Sequence, residues 1–591
     1  MLPFNTWQRC CPLSGGLGPL ARVGDHLARP DTRAELARCE AEERFPAEVI
    51  ARLDQLGLSL LFAAAPDAPY TTAHHIHALG AVTAQASGSL AITVGVTGLA
   101  LLPVYIAGTG AQLEWVRERV LGGARAAMLL SEWSHGSDLG ATETRAEREP
   151  GEPGHYRITG EKQLINMGRR AELLMTLART SPAQTGGLGG AGGLSLFLIE
   201  RDATVDPLPR WRMLPVPAAD IGGARFRGTM VSAGRRIGEE GEGFRLVQSA
   251  LTLSRGGISA FASGTASRAC GLAFAHARER ALYGQPIARL AGVADNLARM
   301  AALELAANCL SLSAATAANA LGQRAAHLTA VAKLMACDLA ERAVSEGRAV
   351  VSARALLADL PYQQVVRDVM LYGIFDGTRH LMIDQIQWRV RQMCRAGLAD
   401  PDGVGVGVGD TGASDDRERE AMHRAAPVSL VDSARLRGRA WLPRPARTAA
   451  RLAGLDGAVD LAPLVDGARA LEAATAALPD QAWSDPALAA AMAASWSRLE
   501  AALAVAELGD PVRRAGLGLP ALAASATDAP LDPAELARLA IALLALEALA
   551  DARAALAGAG IAMAAEAAER ALALDRTRAA GAVRGALREW S

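Results

Sequence analysis

The sequence predicts an α+β, mainly α fold: a helical N-terminal domain, a β middle domain, a helical-bundle domain and an extra helical domain at the C-terminus. Three observations predict it. Apolar residues at helical spacing flank a block of short β-patterned segments. Gly, Pro and Asp punctuate that block. A Gly/Asp/Val-rich tract then separates the bundle from an Ala- and Leu-rich tail.

The first domain is placed at 1–127. Phe45-Pro46-Ala47-Glu48, followed by Ile50, Leu53 and Leu56, sets a proline near a helix start and apolar residues along one face. No charged residue occurs from Ala78 to Leu113, and Leu90 to Ala107 is long and apolar enough for a bilayer. Gly88, Gly95, Gly98, Pro103 and Gly108 interrupt it without close cationic anchors, so the expectation is a buried helix pair and no transmembrane span. His74, His75 and His77 do not share one helix face, which predicts a partly exposed helix start and no metal site.

The middle domain, 128–237, carries strand-like segments at Tyr156 to Thr159, Leu173 to Leu177 and Leu194 to Ile199, with a hairpin loop over Gly186 to Gly193. In the third domain, 238–397, Ala260 to Leu282 and Val293 to Leu321 read as helices of an antiparallel bundle. A linker occupies 398–425 and the helical extension 426–591. Trp496, one helical turn after Met492, and Trp483 read as the core of that extension. The extension either packs on the preceding domain and closes a dimer, or offers amphipathic helices to a carrier protein or a membrane surface.

Basic and acidic residues number 61 and 62, a net charge of −1 that leaves no electrostatic footprint for nucleic acid. The seven cysteines, Cys10, Cys11, Cys39, Cys270, Cys309, Cys337 and Cys394, form no C-x-x-C pair. They read as reduced thiols in a cytoplasmic setting, with neither disulfide framework nor zinc site. Met1 to Pro30 lacks a continuous apolar stretch, so no secretory signal is expected.

Chemistry concentrates at Ile374-Phe375-Asp376-Gly377-Thr378, which begins seven residues after Arg367. A carboxylate between an aromatic residue and a Gly-Thr turn suits removal of a proton from carbon. Two further motifs precede it. One is Met128-Leu129-Leu130-Ser131-Glu132-Trp133-Ser134-His135-Gly136-Ser137-Asp138, continued by Thr144-Arg145-Ala146 and Ile158-Thr159-Gly160-Glu161-Lys162-Gln163-Leu164-Ile165-Asn166. The other is Gly241-Glu242-Gly243-Phe244, leading to Ser254-Arg255 and Arg280-Ala281-Leu282-Tyr283-Gly284-Gln285-Pro286-Ile287. In this order they resemble the acyl-CoA dehydrogenase family: its T-E-P-x-A-G-S-D-like loop and G-x-K-x-x-I-T-N strand, its G-x-G-F and R-x-x-F-G-x-P-I segments, and its catalytic R-D and I-Y-E-G-T segment. The resemblance runs from about Ala34 to Arg395.

That resemblance implies a β-barrel-like middle domain, a four-helix bundle and an FAD enzyme that desaturates acyl thioesters between the α and β carbons. It places the base at Asp376, whose backbone N–H helps polarise the thioester carbonyl. Leu130, Ser131 and Ser137 would meet the flavin or the thioester arm, with Leu164 and Asn166 beside the flavin. Arg280, with Tyr283 near it, would bind the FAD pyrophosphate of a neighbouring subunit, and Thr378 would approach the dinucleotide. Ser137, Arg255, Phe375 and Gly377 fall on the substrate side. The implied partners are an acyl thioester on coenzyme A or an acyl carrier protein, an external acceptor such as an electron-transfer flavoprotein, and further copies in a homodimer or homotetramer.

The chain departs from the family at several positions. Asp376 stands where Glu is usual, one methylene shorter; a base about an ångström out of place costs on the order of a hundredfold. Ser254 occupies the alternative base position and cannot serve. Ser352-Ala353-Arg354-Ala355 replaces a G-G-x-G turn, Ala291 a glutamine, and Leu164 and Asn166 the usual Trp and Thr. His135 lies in the flavin-side loop as a further acid, base or hydrogen-bonded filler. Two other readings therefore stay open: a flavin-dependent oxidase or monooxygenase on a non-thioester substrate, nitroalkane-oxidase-like, and a flavin-free scaffold.

Overall fold

A computed structural model of the protein describes residues 18–66, 68–181, 192–399, 422, 428–436, 445–454, 457–479, 481–510, 513 and 531–589. Cys10, Cys11, the Cys394 side chain, most of the glycine-rich loop and most of the linker lie outside the described residues. The described chain forms two compact units, one from residues 18–257 and 428–436, the other from 258–422 and 445–589.

The first unit opens with helices α1 (Gly18–Ala28), α2 (Pro30–Ala41), α3 (Ala47–Gln55), α4 (Ala73–Ala86), α5 (Gly88–Ala107) and α6 (Gly110–Leu121). Their starts follow local chemistry. Ser87 Oγ accepts from the Leu90 N–H at the head of α5, and Thr109 and Gln112 form a reciprocal capping box on α6. The uncharged stretch is the pair α4 and α5; the most apolar window of α5 is 83% buried inside the fold. Its buried neighbours include Glu40, whose carboxylate accepts from Ser87 and Ser89. The histidines correct the expectation of partial exposure: His74, His75 and His77 are all buried. Thr72 Oγ1 lies 2.8 Å from His75 Nδ1, and burial, then His74, push His77 down to about 3, so it is neutral.

Eight strands follow: β1 (Ala126–Leu129), β2 (Arg145–Arg148), β3 (His155–Asn166), β4 (Leu173–Arg179), β5 (Leu194–Glu200), β6 (Val205–Leu208), β7 (Ile221–Ser232) and β8 (Arg236–Ile237). The sheet order is β6-β7-β3-β2-β4-β5-β8, with β1 parallel to β4. Ala127, Leu129, Ile158, Leu174, Phe197 and Phe226 fill one core, and Tyr156 meets Phe197 edge-on at 5.0 Å. A register shift breaks β3 against β7 between Gln163 and Ile165. A short helix returns to this unit from beyond the linker, α12 (Leu430–Arg435), where Arg435 donates to the Tyr105 and Gly108 carbonyls of α5's last turn.

The second unit holds most of α7 (Gly243–Glu279), then a hairpin of β9 (Ala281–Leu282) and β10 (Gln285–Pro286), and α8 (Ala291–Leu321), α9 (Ala326–Val351), α10 (Pro361–Tyr372) and α11 (Arg379–Ala399). Leu282, expected in a helix, pairs instead across a turn in which Tyr283 and Gly284 both take positive φ. The extension adds α13 (Pro445–Ala453), α14 (Ala462–Ala476), α15 (Pro486–Leu508), α16 (Pro533–Gly558) and α17 (Glu566–Glu589). Asp485 and Asp532 cap α15 and α16, each followed by proline at the first helical position.

These tail helices complete the bundle: α15, α16 and α17 pack on α8, and α11 packs on α15. Arg342 grips Glu547 through two hydrogen bonds of 2.9 and 2.6 Å, and Arg584 reaches Asp295 at 3.1 Å. Trp483, Met492 and Trp496 are buried as expected of a core, with Trp496 Nε1 donating to Thr475 Oγ1. Close packing is tightest where α9 meets α8 and α10. A Cβ at Gly347 would fall on the Tyr362 hydroxyl and the Met300 thioether. Gly347→Ala is expected to destabilise the protein by about 1–3 kcal/mol in urea unfolding followed by circular dichroism.

Candidate active site

Asp376 sits half-buried in the six-residue loop, 373–378, that joins α10 to α11. Its φ is 55° and that of Gly377 is 101°, so two consecutive left-handed residues reverse the chain. Such a conformation is unfavourable for aspartate relative to an extended one and persists where surrounding contacts hold it. Two contacts are visible. Lys333, 1% exposed on α9, donates from Nζ to the carbonyl oxygens of both Phe375 and Gly377, on either side of Asp376. Thr378 closes the turn by accepting the first intrahelical bond of α11 from the Met382 N–H. Phe375 stacks obliquely on Tyr372, whose hydroxyl lies 3.0 Å from Thr265 Oγ1 on α7. Asp368 is buried on α10, and Arg379 pairs with Asp338.

Arg280 and Tyr283 occupy the exposed β9–β10 hairpin, Tyr283 being 90% exposed. Arg280 makes no side-chain hydrogen bond or ion pair among the described residues, so pairing with Glu279 is not seen. Arg354, in the Ser352–Leu356 turn, is likewise exposed and unpaired among them. Burial, then the charges of Arg354 and Arg280, push the His276 imidazole below its usual range. Ser352 holds φ 59°, a left-handed conformation that glycine adopts without strain, so the turn forms without the glycines.

In the other unit, the loop after β1 is anchored to β3. Lys162 donates to the Leu130 carbonyl at 2.9 Å and to the Glu132 carboxylate at 2.8 Å, and Gln163 N–H donates to the Ser131 carbonyl. Glu132 also accepts from the Glu143 and Thr144 N–H groups and from the Thr144 hydroxyl. Burial raises its pKa, yet Lys162 and these donors outweigh that and hold it ionised. His135 meets Glu143 at 3.1 Å as a hydrogen-bonded filler, and Ser137 is exposed. Leu164 lies at the β3 bulge with φ 58° and is 50% exposed, while Asn166 donates to the Ile92 carbonyl of α5. Arg255 is buried in the first turns of α7, and Ser254 donates to the Leu251 carbonyl.

The fold therefore gathers Leu130, Ser131, Leu164 and Asn166 along the loop and bulge of β3, and Phe375, Asp376, Gly377 and Thr378 in one turn. Arg280 and Tyr283 stand apart from that turn on the hairpin. Sequence reasoning missed Lys333, whose signal is a lone charge in Ala330-Val331-Ala332-Lys333-Leu334-Met335-Ala336. It also missed the exposed stack of Trp133 on Trp211, 5.0 Å between rings.

Family models for the middle domain and the C-terminal domain of acyl-CoA dehydrogenases match residues 127–228 and 241–390. A Bacillus subtilis acyl-CoA dehydrogenase is 27% identical over 369 residues, 60% of this chain and 93% of the relative. Cyclohexane-1-carbonyl-CoA dehydrogenase of Geobacter metallireducens is 31% identical over 298 residues, 50% of this chain and 75% of the relative. The fold of a Bacillus anthracis acyl-CoA dehydrogenase complexed with FAD superposes with a TM-score of 0.69 at 18% identity. That match covers 96% of this chain and 92% of the other, so it includes the C-terminal helices.

Removing the ammonium from the buried Glu132–Lys162 pair leaves a carboxylate without its counter-charge. Lys162→Met is expected to cost about 3–5 kcal/mol of stability, read as a lowered Tm, whereas Trp133→Ala at an exposed position changes Tm little.

Proposed function

Because the chain belongs to the acyl-CoA dehydrogenase family of FAD-dependent oxidoreductases, we propose that it dehydrogenates an acyl thioester carried on coenzyme A, with Asp376 as the base. The observation that carries this reading is the clamped left-handed turn, which presents one carboxylate at a fixed place between Phe375 and Gly377. A carbon acid of this kind needs the base held close to its α-proton and the carbonyl polarised. Asp376 Oδ takes the α-proton, and its own backbone N–H donates to the thioester oxygen, where negative charge develops. Phe375 and Gly377 line the substrate side of the turn, and Arg255 and Ser137 the thioester arm.

The residues present fit FAD. Arg280 and Arg354 are exposed cations without side-chain partners among the described residues, suited to a pyrophosphate. The exposed, strained Leu164 gains from an apolar ring covering it. Leu130, Ser131 and Asn166 sit on the same loop and strand, and Thr378 at the head of α11. When bound, FAD would supply the acceptor for the β-carbon hydride, with an electron-transfer flavoprotein as the external acceptor in this reading. Cys39, Cys270, Cys309 and Cys337, in no disulfide among the described residues, support a cytoplasmic setting. The Arg280 hairpin, reaching outward, supports a homodimer or homotetramer.

Asp376→Asn is expected to slow anaerobic bleaching of the flavin by saturated acyl-CoA by about 10²- to 10⁴-fold, with FAD content per chain unchanged. An Asn variant of full activity removes Asp376 as the base. Arg280→Ala is expected to weaken FAD binding by about 1.5–3 kcal/mol, seen as a raised Kd in a flavin-fluorescence titration.

A further inference from the structure

A buried lysine is rare unless something solvates its charge, and on α9 that something is the backbone of the Asp376 turn. We propose that Lys333 is a positioning residue for the base: its ammonium pins the carbonyls of Phe375 and Gly377, fixes the left-handed backbone of Asp376 between them, and keeps a positive charge beside the carboxylate. The inference rests on the reading of Asp376 as the base.

The geometry separates this from simple loop attachment. A loop of six residues between two helices could be held by one bond anywhere along it. Here one donor takes the two carbonyls that flank the reacting residue. The 375–376 peptide unit, which carries the Asp376 N–H, and the 377–378 unit beyond Gly377 are thereby oriented with their oxygens toward α9. An aspartate has little reach to correct a misplaced backbone, since only two torsions separate its carboxylate from the chain. Fixing the peptide units thus fixes the base.

The charge has a second effect. An opposite charge close to a carboxylate favours its ionised form, the form able to take a proton. Other charged groups on the elements that hold the turn include, among the described residues, Asp338 and Glu341 on α9, Arg367 and Asp368 on α10, and Arg379 on α11. Asp338 is paired with Arg379.

The test uses FAD-loaded full-length protein and stopped-flow bleaching of the flavin by a saturated acyl-CoA across pH. Lys333→Met is expected to keep its FAD and its apparent affinity for the thioester, to lose rate by on the order of a hundredfold, and to move the acid limb of the rate profile to higher pH. Lys333→Arg keeps the charge; it loses rate through altered geometry but leaves the acid limb where it is in the unaltered protein. A Lys333→Met protein with unchanged rate and limb overturns the proposal, as does one that loses rate with the limb unmoved, which is the signature of loop support alone. Should Lys333→Met fail to fold, the Arg variant decides: a shifted limb overturns the proposal and an unshifted limb with reduced rate supports it. Asp376→Asn is measured alongside. Activity there removes the base assignment, whereas an inactive Asn variant beside an indifferent Lys333→Met removes only the role of Lys333.

Discussion

A charge taken out of water must be solvated by the protein, and that constraint shapes both units. Lys162 and Lys333 are 0% and 1% exposed, and each gives its ammonium to a loop that bears candidate chemistry. Lys162 takes the Leu130 carbonyl and the Glu132 carboxylate; Lys333 takes the Phe375 and Gly377 carbonyls. Desolvating an ammonium costs several kcal/mol even after relaxation. Keeping those oxygens in place recovers it. The loops are consequently as fixed as the strand and helix that carry the lysines, and their irregular backbone is a property of the fold.

The same economy explains where backbone strain collects. Seven described non-glycine residues have positive φ, and Leu164, Tyr283, Ser352 and Asp376 are among them. All four lie in segments that the motif pattern singles out: the bulge of β3, the hairpin, the turn after α9 and the turn before α11. A side chain in the left-handed region costs on the order of 1–3 kcal/mol, which neighbouring contacts must offset. At Asp376 those contacts are visible in the clamp from Lys333. At Tyr283 the following Gly284 shares the turn and a two-strand ladder closes it.

Much of the architecture was legible because it is written at short range. Short segments bounded by Gly, Pro and Asp marked β3, β4 and β5, Pro46 marked the start of α3, and breakers in and around Leu90 to Ala107 distinguished a buried helix from a span. What escaped depends on partners distant in sequence. Lys333 and Phe375 lie 42 residues apart, so a lysine on α9 gives no local sign of the turn it holds. The burial of His74, His75 and His77 comes from packing around α4, which periodicity on that helix alone does not report. Leu282 leaves the helix because the Tyr283-Gly284 turn forms a hairpin, a local signal that the apolar run on its N-terminal side overrode. The return of Arg435 to the end of α5 spans 330 residues and no pattern announces it.

The substitution of aspartate for glutamate gains meaning from the clamp. In a loosely held loop a shorter base could be accommodated by backbone drift, and the missing methylene would be made up by motion. With both flanking carbonyls tied to a buried ammonium, the backbone of Asp376 has no such freedom. On the proposal that Asp376 is the base, the shortening has to be matched on the other side of the reaction, by a substrate that lies closer to the turn. Phe375 and Gly377, as the nearest neighbours in the chain, then set how close an acyl chain can come. Gly377 offers no side chain to obstruct that approach, and a Cβ there would press on the Met382 methyl group. On that proposal the identity of the base and the shape of the turn are one specification: a short carboxylate is usable where the backbone behind it is held still.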